Sequence, residues 1–448
     1  MNFIKILTLF IFFSPFSSLA NSGLTITSWQ EKIGLIKSGK ISETLIDGKI
    51  ELPQNQSMSS FSLSFDLKQN IKINKVLSDG APTQYSFNNN ALSVKFPKGK
   101  RNGELISIYF SYQEDYGEIN KFLRQEIIYI PSFAAGAKAK VAIWFPWYLE
   151  SATLNPNVSK IENGFLYNNL VPKEGVMEVI KLTPSQGIWD VNIKLTASSD
   201  KPLGKFSIKL PLYFQNYRQK TENYRIAPSI MAVNQKTENN TNILDFNTNL
   251  SEVIIENKAK IYTGKASRLN AMLNPDDYKF IAAKEIVMLT PILEKIKQDQ
   301  KYKNFPLYAK IGKFVNEFIR YDVSYIDKLP SVEEILKNPV GVCTEYAKLY
   351  SALTRVAGIP SLIIDGGACG KAEKCEGHSW NMIYQNNKWI EVDPTWDLMS
   401  GIVSSSHVYF VDGDKQNVEI QYVKDQKTMN LDIDFKMINL APSDFNTK

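Results

Sequence analysis

The spacing of apolar residues changes once along this chain, and the change limits the folds available to it. From about residue 24 to residue 255, apolar and polar residues alternate, as antiparallel strands with one buried face do. One such alternating set is Phe61, Leu63, Phe65 and Leu67. After residue 265 the apolar residues recur at helical spacing, over 275–290 and again over 305–320. We therefore expect β-sandwich-like structure followed by an α+β core.

A chain of 448 residues is longer than one hydrophobic core usually spans, so it should contain several domains. The segment 235–249 is rich in Asn and Thr and is predicted to be a loop or linker. The predicted divisions are a signal peptide at 1–20, β-sandwich-like domains at 21–120 and 121–255, a catalytic core at 256–415 and a C-terminal extension at 416–448.

The N-terminus has the pattern of a secretory signal. One positive charge precedes the apolar run 6–13, and the small-residue pattern Ser18-Leu19-Ala20 follows it. The alternative is a single membrane anchor, but the run is far shorter than the ~20 residues that a bilayer span requires. We expect cleavage after Ala20, a secreted or periplasmic protein, and no stable membrane span after cleavage.

Export changes the meaning of the three cysteines. Cys369 and Cys375 flank a short polar segment and could close a small disulfide loop in an oxidising compartment. The alternatives are two free thiols or half of a metal site. A metal site lacks ligands, because the chain has only two histidines. The disulfide leaves Cys343 as the unpaired cysteine. The sequence predicts no metal or other cofactor.

The net charge of +6 is spread along the chain and predicts only mild attraction to anionic surfaces. No basic stripe with interleaved aromatic residues is present, so we expect no nucleic-acid partner. The sequence does not indicate an oligomeric state.

Cys343 is predicted to lie at the beginning of a helix. Gly341 allows a tight turn before it, the apolar residues of 343–357 share one face, and Gly358 suits the left-handed end of a helix. The unpaired amides and the dipole at a helix N-terminus favour an anion. Such a position stabilises both a thiolate and a developing oxyanion.

His378 and Asp393 fall on the two strands of a predicted hairpin. If the loop is Gln385-Asn386, His378 lies directly opposite Asp393, whereas a longer loop changes the register. An aspartate bound to one imidazole nitrogen selects the tautomer whose other nitrogen can accept the thiol proton.

Each of these residues also has an ordinary structural reading. A cysteine at a helix start is commonly a small buried residue, a histidine a satisfied polar group, and Asp-Pro a turn. The order of Cys343, His378 and Asp393, at a helix start, a strand start and a strand end, favours catalysis. His407 has no evident partner in the sequence and is predicted to be structural.

At these residues the chain resembles the transglutaminase-like superfamily, whose fold is papain-like. The motifs are Gly341-Val342-Cys343-Thr344-Glu345-Tyr346-Ala347, Ala357-Gly358-Ile359-Pro360, Gly377-His378-Ser379-Trp380 and Trp389-Ile390-Glu391-Val392-Asp393-Pro394-Thr395-Trp396. Flanking similarities occur at 319–322 and 406–410, so the resemblance covers about residues 270–415. It implies that Cys343 is the nucleophile, His378 the general base and acid, and Asp393 the orienting carboxylate, acting through a thioester.

The resemblance leaves the acyl acceptor open. Cross-linking transglutaminases of animals use a tryptophan upstream of the cysteine to stabilise the oxyanion, and here no tryptophan lies between Trp189 and Trp380. Tyr321 or Tyr325 could donate instead. We therefore expect first a cysteine peptidase or amidase acting on a protein or peptide, second a glutamine acyltransferase, and third a non-catalytic binding or scaffold protein.

Overall fold

The computed structural model describes residues 23–36, 38–64, 70–89, 91–115, 122–129, 137–146, 148–154, 158–161, 164–170, 177–211, 219–238, 241–264, 273–326, 328–370, 375–412, 419–422 and 430–440. The predicted signal peptide lies outside the described residues. The chain divides into two compact units. The first comprises Met1–Ile119, Ile127–Trp147 and Asn157–Val179, and the second Asn120–Glu126, Tyr148–Pro156 and Ile180–Lys448.

The first unit is built from β-strands. The first thirteen strands of the chain are β1 Leu24–Ile36, β2 Gly39–Ile50, β3 Ser57–Ser64, β4 Asn70–Ser78, β5 Ala81–Pro82, β6 Tyr85–Asn88, β7 Ala91–Arg101, β8 Leu105–Asp115, β9 Arg124–Tyr129, β10 Lys138–Trp144, β11 Leu149–Ser151, β12 Ser159–Ile161 and β13 Gly164–Leu170. Of these, β11 and the first residues of β9 belong to the second unit. An eight-stranded sheet has the order β12-β13-β10-β1-β2-β8-β4-β5, and a three-stranded sheet the order β3-β7-β6.

The predicted alternation accounts for the interior of this unit. Leu92, Val94 and Phe96 on β7 are buried at every second position, as are the apolar residues of β8 from Ile106 to Tyr112. Burial of alternate side chains is the expected result of strands with one face toward a core. Of the set that begins at Phe61, the last two residues lie outside the described residues.

The second unit contains a further β-sandwich. The remaining strands of the chain are β14 Met177–Pro184, β15 Gln186–Ser198, β16 Gly204–Pro211, β17 Gln219–Pro228, β18 Asn234–Glu238, β19 Thr241–Thr248, β20 Glu252–Gly264, β21 Arg320–Tyr321, β22 Val340–Gly341, β23 Ser361–Cys369, β24 Cys375–Gln385, β25 Lys388–Val392, β26 Val408–Asp412, β27 Glu419–Tyr422 and β28 Asn430–Asn439. The sheets β17-β20-β15-β28 and β18-β19-β16-β27 contribute side chains to one apolar core. A three-stranded sheet has the order β11-β14-β9.

The prediction of a linker at 235–249 is wrong. Strands β18 and β19 occupy most of this segment, and β19 pairs with β16. Although Asn and Thr dominate the composition, Leu244 and Phe246 alternate along β19 and are buried in the sandwich core. Two well-placed apolar residues on one face are sufficient for a strand here, and average composition does not reveal them.

The remainder of the second unit is α+β. Its helices are α1 Ala283–Gln298, α2 Leu307–Phe318, α3 Val332–Lys337 and α4 Cys343–Val356, and its sheet has the order β25-β24-β23-β26. The helix predicted at 275–290 is displaced: a 3-10 turn forms at Pro275–Tyr278 and α1 begins only at Ala283. The Asn274 side chain caps the turn through the Asp276 amide, which makes it a separate element.

The predicted fold class, β-rich structure followed by an α+β core, is confirmed. The domain boundaries predicted at residues 120, 255 and 415 stay predictions. Within the residues that the structure describes, no helix combines the length and apolarity needed to cross a membrane.

Candidate active site

Cys343 is the first residue of α4, as the sequence predicts. The preceding amide, that of Val342, donates to Glu345 Oε2 at 2.7 Å, and the Glu345 side chain is buried. The Glu345 side chain, at the third helical position, thus accepts from one of the amides that lack a backbone partner at the helix start. The helix ends before Gly358, whose φ of +77° is the expected left-handed conformation.

Gly341 is required for close packing beside this helix start. A Cβ placed on Gly341 would lie 2.5 Å from the Cβ of Glu345, which is far inside van der Waals contact. The backbone of β22 can therefore approach the first turn of α4 only because residue 341 has no side chain.

The hairpin that carries His378 and Asp393 has a different register from the one considered above. Gln385 pairs with Lys388, so the loop is Asn386-Asn387, and both loop residues have positive φ, 51° and 60°. Two consecutive left-handed residues form the turn that matches the twist of a hairpin, and Asn tolerates that conformation. Direct opposition of His378 and Asp393 is therefore wrong by two residues, although their side chains still meet.

Asp393 lies at the end of the hairpin and contacts the imidazole of His378. His378 Nε2 lies 2.9 Å from Asp393 Oδ2, and both side chains are buried. The other carboxylate oxygen, Oδ1, accepts from the backbone amides of Thr395 at 2.8 Å and Trp396 at 3.1 Å. Because an ionised carboxylate can only accept, the proton of this hydrogen bond lies on His378 Nε2. The Nδ1 atom is left to face the thiol.

The thiol and the imidazole change each other's pKa. Burial alone raises the pKa of the Cys343 thiol, but the hydrogen bond and charge of His378, together with the Ser379 amide, outweigh burial and lower it. Burial lowers the pKa of His378, whereas Asp393 and the thiolate raise it to about 10. Burial opposes ionisation of Asp393, and the imidazole of His378 holds its pKa well below the ordinary range. These directions favour a thiolate–imidazolium pair.

Aromatic rings enclose the imidazole. The Trp396 ring stacks on His378 with 4.8 Å between ring centroids and 27° between planes. Trp380 is fully buried, and its ring centroid lies 6.1 Å from that of His378. Exclusion of water by such rings strengthens the interaction of His378 with its aspartate.

Side chains from other elements hold the loop that follows Asp393. Asn316 Nδ2 on α2 donates to the carbonyls of Pro394 at 2.8 Å and Thr395 at 3.1 Å. Lys313 Nζ on α2 lies 2.7 Å from Asp397 Oδ2, and Lys181 Nζ on β14 donates to the Trp396 carbonyl at 2.7 Å. The loop that follows Asp393 is thus held by side chains from two other elements of the second unit, α2 and β14.

His407 is a member of the site that sequence reasoning missed. Its Nε2 lies 3.1 Å from Asp393 Oδ2, the same oxygen that His378 reaches, and its side chain is buried. The prediction that His407 is only structural rested on the lack of a nearby partner in the sequence. The similarity noted at 406–410 was a signal that could have identified it.

These three residues also form the one group of potential metal ligands found among the described residues. The ligand atoms of His378, Asp393 and His407 lie within 4.8 Å of one another. The separations of 2.9 and 3.1 Å to the shared oxygen are hydrogen-bond distances, so two N–H donors on one acceptor account for the cluster.

The predicted disulfide between Cys369 and Cys375 is present. The two cysteines lie opposite each other at the ends of β23 and β24, and Cys375 is three residues before His378. Cys343 is the free cysteine. The bond therefore closes the end of the β23–β24 pair, and His378 lies on β24.

Of the two tyrosines considered as oxyanion donors, Tyr321 lies beside the helix start. It pairs with Gly341 across β21 and β22, and its ring centroid is 6.2 Å from that of Tyr346 in α4. Burial raises the pKa of Tyr321 to about 12, with a contribution from the negative charge of Cys343. Tyr325 instead accepts a hydrogen bond at its hydroxyl from Asn338 Nδ2 at 2.5 Å.

Residues 294–394 match the model of the transglutaminase-like superfamily. The match contains Cys343, His378 and Asp393, and it confirms the resemblance for this part of the chain. A comparison with curated proteins finds no significant match.

Solved structures show weaker similarity. A candidate cysteine protease from Cytophaga hutchinsonii is 14% identical with a TM-score of 0.43, over 57% of this chain and 91% of that one. An M1 zinc metallopeptidase from Deinococcus radiodurans is 9% identical with a TM-score of 0.22, over 61% and 53%. Native yeast LTA4 hydrolase is 10% identical with a TM-score of 0.25, over 36% and 29%. At these TM-scores the similarities carry no argument about function.

Proposed function

We propose that the chain is an exported cysteine peptidase or amidase that hydrolyses amide bonds of a protein or peptide. The observation that carries the proposal is the continuous connection from the Cys343 thiol through His378 to Asp393 at the start of a buried helix. Such a connection supplies an ionised nucleophile and a proton carrier in one place. The family match at 294–394 supports the same chemistry.

In the proposed acylation step, the Cys343 thiolate attacks the amide carbonyl carbon and the carbonyl π electrons move to the oxygen. When the tetrahedral intermediate collapses, the C–N bond breaks and the His378 imidazolium gives its Nδ1 proton to the leaving amine. The product is a thioester on Cys343. Asp393 stays ionised throughout, because it keeps its hydrogen bonds to His378 Nε2 and to two backbone amides.

In the proposed deacylation step, neutral His378 takes a proton from water and the hydroxide attacks the thioester carbonyl. Collapse releases the carboxylic acid and regenerates the thiolate–imidazolium pair. The backbone amide of Cys343 at the N-terminus of α4 and the hydroxyl of Tyr321 would donate to the oxyanion in both steps. The raised pKa of Tyr321 keeps its hydroxyl protonated at neutral pH.

Transfer of the acyl group to an amine is the second candidate. The match to the transglutaminase-like superfamily favours it, because thioester chemistry allows an amine to take the place of water. Incubation of the protein with a glutamine-containing peptide and a labelled primary amine separates the two. Amine incorporation supports transfer, whereas consumption of peptide without incorporation supports hydrolysis.

Alkylation of Cys343 tests the proposed nucleophile directly. Iodoacetamide at pH 6 should label Cys343 stoichiometrically in the wild type and far more slowly in His378→Ala. A matched control is Lys388→Ala in the same hairpin, an exposed residue that should leave the rate unchanged. Reactivity like that of free cysteine in the wild type would reject both enzymatic candidates.

Export is proposed from the N-terminal pattern and is supported by the disulfide, since such bonds persist in oxidising compartments. Mass spectrometry of the protein recovered from a native host should show Asn21 as the first residue and a bond between Cys369 and Cys375. Recovery from the cytoplasm with three free thiols would contradict this part of the proposal.

A further inference from the structure

One carboxylate oxygen in this site is within hydrogen-bond distance of two imidazoles. Asp393 Oδ2 lies 2.9 Å from His378 Nε2 and 3.1 Å from His407 Nε2, and the side chains of Asp393 and His407 are fully buried. We propose that His407 acts on His378 through Asp393: it donates to the oxygen that His378 also uses, and so limits the negative charge that Asp393 presents to His378. The inference rests on the proposed role of His378.

The direction of the hydrogen bond follows from the chemistry of the partners. A buried ionised carboxylate can only accept, so His407 Nε2 must carry a proton at this distance. This holds whether His407 is neutral or charged. In both cases a positive hydrogen points at Asp393 Oδ2, and the hydrogen bond from His407 contributes to holding the pKa of Asp393 below its usual range.

His407 is not needed to hold the carboxylate in its orientation. Asp393 Oδ1 accepts from the amides of Thr395 and Trp396, which fix the plane of the carboxylate independently. The contribution of His407 is therefore electrostatic. A carboxylate that already receives a second donor stabilises the His378 imidazolium less than one that receives His378 alone.

The position of His407 is itself set by the β-sandwich of the second unit. The His407 amide donates to the Ser404 carbonyl at 2.9 Å, and the intervening Ser405 is held on both sides. Its carbonyl accepts from Trp189 Nε1 at 3.1 Å and from Thr263 Oγ1, and its amide donates to Thr183 Oγ1 at 2.8 Å. The imidazole thus reaches Asp393 from a turn that is held by hydrogen bonds to three other strands.

This arrangement has a consequence for catalysis. An imidazolium with a very high pKa is a good partner for a thiolate but a poor acid toward a leaving amine. By lowering the proton affinity of Asp393, His407 keeps His378 closer to the range in which it can give its proton away. The other ionisable groups that act on this cluster are Cys343 on α4, Tyr321 on β21 and Lys181 on β14, and a substitution at His407 leaves all three in place.

The pair of variants His407→Leu and His407→Gln tests the inference. Leu fills similar space without a donor, whereas the Gln side chain can place an N–H near the position of Nε2. Because the chain has two histidines, protein labelled with 13C-histidine gives one imidazole signal in each variant, that of His378. Its titration between pH 6 and 12 reports the pKa of His378 without any substrate.

In His407→Leu we expect the titration midpoint of His378 to rise by about one pH unit, the size expected for loss of one hydrogen bond to a charged group. In His407→Gln the midpoint should stay near the wild-type value. A thermal melt of each variant controls for folding. A lower melting temperature with an unchanged midpoint in His407→Leu would assign His407 a structural role only and overturn the inference.

The same measurements, together with an assay of cleavage, distinguish failure of the inference from failure of the proposed function. If the midpoint shifts as expected but no peptide or amide is cleaved, the inference about the charge of Asp393 stands and the hydrolase assignment falls. If cleavage occurs and the midpoint of His378 in His407→Leu is unchanged or lower, the hydrolase assignment stands and the inference about the charge of Asp393 falls.

Discussion

Replacement of Asp393 by Asn should remove the ionised thiol while leaving the shape of the site nearly unchanged. In Asp393→Asn the amide oxygen can still accept from the Thr395 and Trp396 amides. The NH2 group then occupies the place of Oδ2 and faces the Nε2 atoms of both His378 and His407, so each imidazole must present a lone pair to it. His378 must present a lone pair there, so its proton moves to Nδ1 and faces the thiol, and the ring can no longer accept the thiol proton.

The size of the effect follows from the fraction of Cys343 that is ionised at pH 6. In the wild type, Asp393 and the thiolate raise the pKa of His378 to about 10 against the opposing effect of burial. Without the carboxylate, burial leaves the imidazole neutral and the thiol returns to about pKa 8.5 or above, so about 1 in 300 thiols is ionised at pH 6. A more basic thiolate is also more nucleophilic, which offsets roughly a factor of ten of this loss in rate. The alkylation rate at pH 6 should therefore fall about 30-fold.

The assay is the rate of iodoacetamide labelling of Cys343 at pH 6, followed by mass spectrometry, with circular dichroism as a check of folding. The matched control is Asp276→Asn, which removes an exposed carboxylate that pairs with Lys279. Its labelling rate should equal that of the wild type. If Asp393→Asn is folded and labels as fast as the wild type, the carboxylate does not maintain the ion pair and the assignment of the triad is wrong.

Three further outcomes follow from the same geometry. In a Cys343→Ser background Asp393 still raises the pKa of His378, so His378 makes a stabilising contribution that is complete below about pH 6.5 and is lost as the pH rises through its folded-state pKa; urea unfolding should show this loss, and the additional change His378→Ala should abolish it. Replacement of Cys369 and Cys375 by Ala should lower the free energy of unfolding by about 2 kcal/mol, the value for so short a loop, and should slow alkylation of Cys343 because the hairpin end is released; unchanged values in both assays would show that the bond does not support the site. Gly341→Ala should destabilise the protein by about 1–3 kcal/mol in urea unfolding, because the new Cβ would lie 2.5 Å from a carbon of the buried glutamate in the first turn of α4; wild-type stability would mean that the turn can move aside.

The parts of the site that follow local rules could be predicted from the sequence. The helix that begins at Cys343 and stops before Gly358 is specified by apolar periodicity and by a residue suited to positive φ. The closeness of His378 and Asp393 survives because the observed hairpin register differs from the expected one by two residues, which keeps both side chains on the same face. The resemblance supplied the order of the motifs, and the family match at 294–394 confirms it.

The predictions that were wrong concern features that rules about local sequence do not determine. The hairpin loop at Asn386-Asn387 was displaced by one residue because three adjacent polar residues suit a turn equally well. The composition around β19 predicts a linker because it does not show the strand that pairs with β19 and buries Leu244, which lies more than thirty residues earlier in the chain. Composition reports an average, whereas burial depends on the partner.

His407 shows why a complete site is harder to predict than its catalytic residues. In the sequence it follows three serines, which describe a polar loop and give no reason for an imidazole. In the structure Ser405 is held by Thr183, Trp189 and Thr263, and these residues lie more than 140 positions earlier in the chain. The second imidazole on Asp393 is therefore placed by the β-sandwich of the second unit and not by its own motif. It follows that substitutions in that sandwich, far from Cys343 in sequence, should act on the reactivity of the thiol through Asp393.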